Sequence, residues 1–292
     1  MTTNSESLPL TYSMSDGLPV NRVGYGAMRL TGQPGNFGAY ADWEGGKTLL
    51  RRAVELGVNF IDTAEAYGPG FNEELIAAAL HPYPKNLVIA TKGGIVKTSP
   101  SDIRPNGNPE NLRRGCEASL QRLKLDRIDL YQLHRPDPNV PFLKSIEMLA
   151  ELQREGKIRH IGLSNVSIDQ IEQARQIIAI AAVQNRFSLT DRSGEETLDY
   201  CTQHNIMFIP HGSLGAHPLR QGAPLANATG ALADIATQHG VQSSQVALAW
   251  MLGRAPNIVL IPGTTAIAHL EENTAATSIK LTVDELELLN RM

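Results

Sequence analysis

Cysteine is scarce in this 292-residue chain, which contains only Cys116 and Cys201. The two lie far apart and form no Cys-x-x-Cys pair or Cys/His cluster with the spacing of a zinc site. The histidines likewise form no His-x-His or His-Glu-x-x-His motif. We therefore expect no disulfide framework and no metal site, and this cysteine usage is typical of the reducing cytoplasm, which is the expected location.

Long apolar runs and an excess of positive charge are also missing. No stretch of 18 apolar residues occurs, and the first 20 residues lack the charged start and apolar centre of a signal peptide. Lysine and arginine number 26 against 30 acidic residues, giving a net charge of −4. Such a chain has no basic surplus for a phosphate backbone or an anionic membrane. We expect no nucleic-acid or membrane partner, and a flexible tail over residues 1–8.

What the sequence does contain is an alternation of two patterns. Short apolar runs typical of buried strands recur at eight places: 24–28, 59–62, 87–90, 128–133, 161–163, 181–184, 206–209 and 258–261. Amphipathic helical patterns fill the gaps: 47–56, 72–80, 109–123, 142–155, 167–179, 197–204 and 243–252. Three of the helical patterns end next to a glycine that favours a helix C-terminus, namely Gly57, Gly156 and Gly253.

Strands that alternate with helices pair in parallel, because parallel neighbours need a long crossover. Eight such units favour an α/β fold of the (β/α)8 TIM-barrel type, although a doubly wound open sheet uses the same alternation. The nucleotide-binding GxGxxG motif of the open sheet fails here, because Arg29 replaces its third glycine. Residues 11–21 predict a β-hairpin ahead of the barrel that closes its bottom. No linker divides residues 1–292, which we expect to form a single domain.

Four polar side chains are expected to meet at one rim of this barrel. Asp62, Lys92 and His134 end three consecutive predicted strands, and Tyr67 follows Asp62 by five residues. The carboxyl ends of barrel strands carry the active sites of such folds. A nearby ammonium lowers the pKa of a phenol, so we expect Lys92 to prepare Tyr67 for proton donation. Asp62 would keep Lys92 charged, and His134 would orient a substrate oxygen.

The motifs around these residues resemble those of the aldo-keto reductases. Residues 57–68, reading GVNFIDTAEAYG, match that family's Asp/Tyr signature, and 90–92 and 133–134 match its Lys and His motifs. The resemblance covers nearly the whole chain. It implies reversible hydride transfer between NADP(H) and an aldehyde or ketone, with Tyr67 as general acid, Lys92 and Asp62 tuning it, and His134 positioning the substrate.

The resemblance also implies the cofactor site. Ser164, Asn165 and Gln184 match positions that hold the nicotinamide carboxamide, and His211 stands where the family usually has a stacked aromatic ring. An imidazole with an ordinary pKa there would add a pH dependence near 6.5. The remaining cofactor contacts implied by the resemblance are Gly26, Met28, Asp62, Gly212, Leu214, Gly215, Ile261, Gly263, Thr264, Thr265, His269, Glu272 and Asn273.

Two strong cations of the family's adenosine-phosphate segment are replaced in this sequence. Many members carry lysine at the position of Gly263 and arginine at that of His269. The N-terminus of the helix that begins near Ile267 and the hydroxyls of Thr264 and Thr265 still provide an anion site. We expect a preference for NADPH over NADH that is modest in size.

Two alternatives remain at this stage. Lys92 could act as the nucleophile of a Schiff-base lyase on the same barrel. The chain could also be a cofactor-sensing regulatory subunit, because the resembled family includes potassium-channel β-subunits. Residues 24–30 and 261–273 resemble bacterial and fungal reductases that act on pyridoxal, which makes pyridoxal a candidate substrate. The only partner expected is a small carbonyl compound. The sequence leaves the oligomeric state open, with a monomer as one of the options.

Overall fold

The computed structural model describes residues 9–216 and 222–292, so the expected tail over residues 1–8 lies outside the described residues. Its strands are β1 (Thr11–Ser13), β2 (Pro19–Asn21), β3 (Tyr25–Gly26), β4 (Phe60–Asp62), β5 (Val88–Gly93), β6 (Ile95–Lys97), β7 (Ile103–Pro105), β8 (Ile128–Leu133), β9 (Ile158–Ser164), β10 (Ile180–Gln184) and β11 (Met207–Phe208). Its α-helices are α1 (Trp43–Glu55), α2 (Phe71–Leu80), α3 (Pro109–Leu123), α4 (Phe142–Arg154), α5 (Ile168–Arg175), α6 (Glu195–Gln203), α7 (Ala231–His239), α8 (Ser243–Arg254), α9 (Ile267–Ala275) and α10 (Val283–Asn290).

Seven strands form one parallel sheet in the order β3-β4-β5-β8-β9-β10-β11. The eighth predicted strand is present as a segment that bridges the two edges. The amide of Phe208 in β11 donates to Asn257 (2.9 Å), and the amide of Leu260 donates to Arg22, the residue before the bridge at Val23 (2.8 Å). These contacts close the sheet into the expected (β/α)8 barrel. The eighth segment of the barrel wall is irregular and is not a full strand.

The barrel interior follows from the alternation of side chains along each strand. Apolar side chains fill its lower part, among them Phe60, Val88 and Leu130. Met14 and Val20 of the antiparallel β1–β2 hairpin are buried in the same cluster. The predicted hairpin is therefore confirmed, and its side chains close the barrel bottom. Outward-facing strand residues pack against the surrounding helices in two larger clusters.

Toward the carboxyl ends of the strands, the inward-pointing side chains become polar and form a layer above the apolar ones. Asp62, Lys92, Gln132 and Gln184 point inward at the carboxyl ends of β4, β5, β8 and β10, and all four are buried. Gly162 of β9 leaves room for this layer, because a Cβ there would lie 2.8 Å from the Cγ of Gln132. The fold therefore holds a group of polar side chains in a buried place, which requires that they satisfy one another.

Helix boundaries differ from the predictions where local capping decides them. α1 begins at Trp43, earlier than expected, because the Asp42 side chain caps it by accepting from the amide of Gly45 (3.0 Å). α8 continues through Gly253 to Arg254, so the predicted stop at that glycine is wrong. The hairpin β6–β7 and helices α7 and α10 lay outside the predicted elements. The hairpin is important because it stands directly above the end of β5.

Candidate active site

The centre of the polar layer is an ion pair. Lys92 Nζ lies 2.6 Å from Asp62 Oδ2, and the two side chains are almost entirely buried. Asp62 Oδ1 accepts from the side-chain amides of Gln184 (2.9 Å) and Gln132 (3.2 Å), and Lys92 also donates to the carbonyl oxygen of Thr63 (2.9 Å). Each charge is thus held by several hydrogen bonds, which offset the cost of burying it.

Tyr67 lies on the loop between β4 and α2, at the mouth of the barrel. Its hydroxyl is 3.4 Å from Lys92 Nζ, and its ring meets that of His134 edge-on with centroids 5.9 Å apart. Asn72 anchors this loop. Its side-chain oxygen accepts from the Thr63 hydroxyl (2.6 Å), and its side-chain nitrogen donates to the carbonyl oxygens of Ala27 (2.9 Å) and Leu30 (2.8 Å). The four predicted catalytic residues therefore converge, as expected from their places at the strand ends.

The pKa of Tyr67 departs from the expectation. Burial raises the pKa of its phenol, the charge of Lys92 lowers it, and the net shift is upward. The expected lowering by the Lys92 ammonium is present, but desolvation of the buried phenol, which the sequence did not predict, outweighs it. The phenol keeps its proton at neutral pH, and Lys92 serves to stabilise the phenolate that remains after the proton has left.

Lys92 itself is held as an ammonium. Burial alone lowers its pKa, but the charge and hydrogen bond of Asp62 reverse this and raise it above the usual value. A Schiff-base nucleophile must be a neutral amine with free approach. Because Lys92 is protonated and enclosed by Asp62 and Thr63, the geometry does not favour the lyase alternative.

His134 is a neutral imidazole. Burial lowers its pKa well below the usual value, and the nearby charges of Lys92 and Arg135 lower it further. Its Nδ1 is buried and has no hydrogen-bond partner among the described residues. A neutral ring beside a phenol is suited to hold a carbonyl oxygen by a hydrogen bond without competing for its proton.

These residues open into a cavity of about 1040 Å³ at the carboxyl ends of the strands. Lys92 does not line the cavity and acts on it only through Asp62 and Tyr67. Gly215, a predicted cofactor contact, does not line the cavity either, and its amide donates to the carbonyl oxygen of Gly212 in a turn. The remaining predicted cofactor contacts line this cavity: Gly26, Met28, Asp62, Ser164, Asn165, Gln184, His211, Gly212, Leu214, Ile261, Gly263, Thr264, Thr265, His269, Glu272 and Asn273.

The donor set of this cavity fits a dinucleotide. Asn165 donates to the carbonyl oxygen of His134 (3.1 Å) and to Ser164 Oγ (2.9 Å), so amide and hydroxyl groups lie beside the predicted catalytic residues. Gly26 and Gly263 approach each other so closely that a Cβ on Gly263 would lie 2.6 Å from the carbonyl oxygen of Gly26. A side chain at position 263 would therefore need the backbone to move in this structure.

His211 hydrogen-bonds to Asn165, with Nε2 and Oδ1 3.1 Å apart. Burial, together with Arg186 and Lys92, lowers the pKa of His211 to about 4. The expected pH dependence near 6.5 from this residue is therefore wrong, because burial keeps the ring neutral through that range. The side chain thus offers the cofactor site a neutral flat ring.

Several lining residues were absent from the predicted site. Gln132 was hidden inside a strand, where only the alternation with Leu130 signals that it points inward. Lys97, Arg104 and Arg135 also line the cavity. Their signal was present in the sequence, because they follow Lys92 and His134 closely at two strand ends. No group of side chains able to hold a metal occurs within 9–216 and 222–292, and no helix there is long and apolar enough to cross a membrane.

Comparison with known proteins identifies the family. The model of the aldo/keto reductase family matches residues 22–292. The chain is a member of the aldo/keto reductase family. It is therefore an oxidoreductase. The predicted cofactor, NADP(H), is confirmed, because this family uses NADP(H) and similar solved structures contain NADP or NADPH.

Individual relatives agree along most of the chain. An uncharacterized oxidoreductase of Schizosaccharomyces pombe is 45% identical over 262 residues, covering 90% of this chain and 83% of the relative. Pyridoxine 4-dehydrogenase of Escherichia coli is 40% identical over 277 residues, covering 93% and 94%. A crystal structure of an aldo/keto reductase from Klebsiella pneumoniae in complex with NADP and acetate has a TM-score of 0.80 at 28% identity, covering 97% and 94%.

The low pKa of His211 predicts an acid-sensitive fold. The unfolded imidazole takes up a proton near pH 6.5, whereas the folded one does so only near pH 4. The unfolded state therefore binds more protons between these values, and the free energy of unfolding falls as the pH drops through this window, by about 1–3 kcal/mol from this group. Urea unfolding at pH 7, 6 and 5 measures the slope.

The matched variants for this measurement are His211→Phe and His269→Ala. His211→Phe keeps a flat ring but cannot titrate, so its stability should depend less steeply on pH than that of the wild type. His269 is exposed, and His269→Ala should keep the wild-type slope. An unchanged slope in His211→Phe would show that the ring is not buried as a neutral group.

Proposed function

We propose that this protein catalyses the reversible reduction of an aldehyde or ketone with NADPH, using Tyr67 as the proton donor. The observation that carries the proposal is the position of the Tyr67 hydroxyl, 3.4 Å from the Lys92 ammonium and beside the neutral ring of His134 in the cavity. Bound NADPH supplies the hydride. The chain's own task is to hold the carbonyl oxygen and to deliver a proton to it.

The proton transfer follows from the charges around Tyr67. The substrate oxygen is held by the Tyr67 hydroxyl and the His134 ring, and its growing negative charge draws the phenolic proton. The phenolate that remains is stabilised by Lys92, whose own charge is fixed by Asp62. In the reverse direction Tyr67 takes a proton from an alcohol. Asp62 and Lys92 are positioning residues that act through Tyr67.

The roles of the cofactor residues are part of this proposal. Ser164, Asn165 and Gln184 would hold the nicotinamide carboxamide, and His211 would pack its ring against the nicotinamide. The segment 261–265, the N-terminus of α9 and Glu272 and Asn273 would hold the adenosine end. Support comes from their common place along one cavity.

Pyridoxal is the candidate substrate within this class. The Escherichia coli relative, which is 40% identical over nearly the full length of both proteins, is named pyridoxine 4-dehydrogenase. The same name implies the matching alcohol, pyridoxine, as the substrate of the reverse direction. A panel of aldehydes that includes pyridoxal, assayed by NADPH oxidation, decides how far this chain shares that activity.

The Tyr67→Phe variant tests the proton donor. It keeps the ring and its contact with His134 but removes the proton, and general acid catalysis contributes about 10²–10⁴ in rate. We expect kcat for a good aldehyde to fall by that factor, with NADPH affinity measured by fluorescence titration nearly unchanged. Reduction within about threefold of the wild type would refute the assignment. Tight NADPH binding with no turnover in the wild type itself would favour the regulatory alternative.

The preference for NADPH over NADH is tested through His269. With glycine at position 263, the 2′-phosphate would be held by Thr264, Thr265, the α9 N-terminus and His269, and we expect NADPH to bind about 10–100-fold more tightly. His269→Ala should narrow this preference, because it removes one of the hydrogen-bonding groups offered to the 2′-phosphate. Fluorescence titrations with both dinucleotides measure it. Tighter binding of NADH than of NADPH by the wild type would overturn the preference.

A further inference from the structure

Four arginine and lysine side chains line the described part of the cavity, and three of them lie on one side. The fourth, Arg29, lies beside Gly263 at the proposed adenosine end. β5 and β8 are neighbouring strands, and the β6–β7 hairpin and Arg135 directly follow them. Lys97 and Arg104 of the hairpin and Arg135 all line the cavity there. The proposed adenosine segment, 261–273, follows the irregular segment that closes the barrel, and it lies on another part of the barrel rim. The three cations therefore belong to the side of the cavity where the substrate would enter.

Of these three cations, Arg104 is paired with Asp102 at 2.9 Å, but the other two meet no carboxylate in the described structure. Lys97 is only 8% exposed and donates to the backbone carbonyl oxygens of Gly35 and Asn36, which leaves the third N–H of its ammonium for another acceptor. Arg135 is exposed at the mouth.

The acidic groups of the cavity do not offset this charge. Among the described lining residues the carboxylates are Asp62 and Glu272. Asp62 is engaged by Lys92 and two amides, and Glu272 lies on α9 in the segment proposed for adenosine. The substrate side therefore carries a net positive charge of about two, in a partly enclosed cavity where screening by water is reduced.

The same cations act on the catalytic histidine. Arg135 directly follows His134 in the chain, and both Arg135 and Lys97 contribute to the low pKa of that ring. The positive field thus reaches the place where the carbonyl oxygen would lie. Apolar side chains of the hairpin, Ile95 and Ile103, line the cavity beside these cations and can cover an uncharged substrate body.

We propose that Lys97 and Arg135 form an anion subsite next to His134, and that the preferred substrates are carbonyl compounds carrying a carboxylate or phosphate group. The inference rests on the proposed carbonyl reduction and narrows its substrate class, so that pyridoxal 5′-phosphate would be preferred over pyridoxal itself. Guanidinium and ammonium groups are the side chains that recognise such oxyanions. A substrate of this kind brings the negative charge that this side of the cavity lacks.

The test compares aldehydes that differ only in charge. We expect 4-carboxybenzaldehyde to exceed its neutral amide analogue, 4-formylbenzamide, by about tenfold or more in kcat/KM, mainly through KM, because charge-assisted hydrogen bonds are the stronger ones. The excess should shrink between 0.05 and 0.5 M KCl. Two further comparisons of kcat/KM use 4-formylphenyl phosphate against 4-carboxybenzaldehyde and pyridoxal 5′-phosphate against pyridoxal. They identify whether a carboxylate or a phosphate is preferred.

Arg135→Gln should reduce the ratio of the charged to the neutral substrate to about one, and Arg135→Lys should restore part of it. Arg127→Gln is the matched control, because Arg127 precedes β8 at the opposite end of the strand that Arg135 follows. It should keep the wild-type ratio. Benzoate should inhibit the wild type competitively against an aldehyde, and benzamide should inhibit it at least tenfold more weakly.

The outcomes separate the two proposals. If no carbonyl compound is reduced by the wild type with NADPH, the proposed function fails. If 4-formylbenzamide is reduced as well as 4-carboxybenzaldehyde, and benzoate inhibits no better than benzamide, the reductase remains and the anion subsite is overturned. These wild-type comparisons decide the matter even if Arg135→Gln fails to fold.

Discussion

The buried pair of Asp62 and Lys92 is the interaction on which the rest of the site depends. Two opposite charges, 2.6 Å apart and almost without solvent exposure, stand where the apolar interior of the barrel ends. Leaving either charge alone would cost about 3–5 kcal/mol, so each residue requires the other. Gln132 of β8 and Gln184 of β10 complete the hydrogen bonds of Asp62 across the barrel, which makes the polar layer a single network.

This network sets the protonation states of the groups that would meet a substrate. Lys92 stays charged because of Asp62, and its charge helps to keep His134 neutral. Tyr67 keeps its proton because burial outweighs the ammonium. A protonated phenol and a neutral imidazole can both serve a carbonyl oxygen, and the nearby ammonium stabilises the phenolate once the proton has moved. Acid, orienting group and counter-charge thus follow from one ion pair and its burial.

Much of this arrangement could be predicted from the sequence, because it depends on local patterns. The bounds of β8 and α3 agree with the apolar periodicity, and the positions of Asp62 and Lys92 follow from where two apolar runs end. The sign of the pKa shift of Tyr67 and the low pKa of His211 could not be predicted, because desolvation depends on what packs around a group. The close approach of Gly26 and Gly263, which leaves no room for a Cβ at position 263 in this backbone, likewise exists only in the folded barrel.

The most direct test of this account is a double-mutant cycle on the pair, measured as free energies of unfolding in urea at pH 7. The variants are Asp62→Leu, Lys92→Met and the two together. We expect each single variant to lose about 3–5 kcal/mol, because it leaves a buried charge alone, and the double variant to lose less than either single change. A coupling energy of about 2 kcal/mol or more would support the pair as the organising interaction. Losses that add within about 0.5 kcal/mol would contradict it.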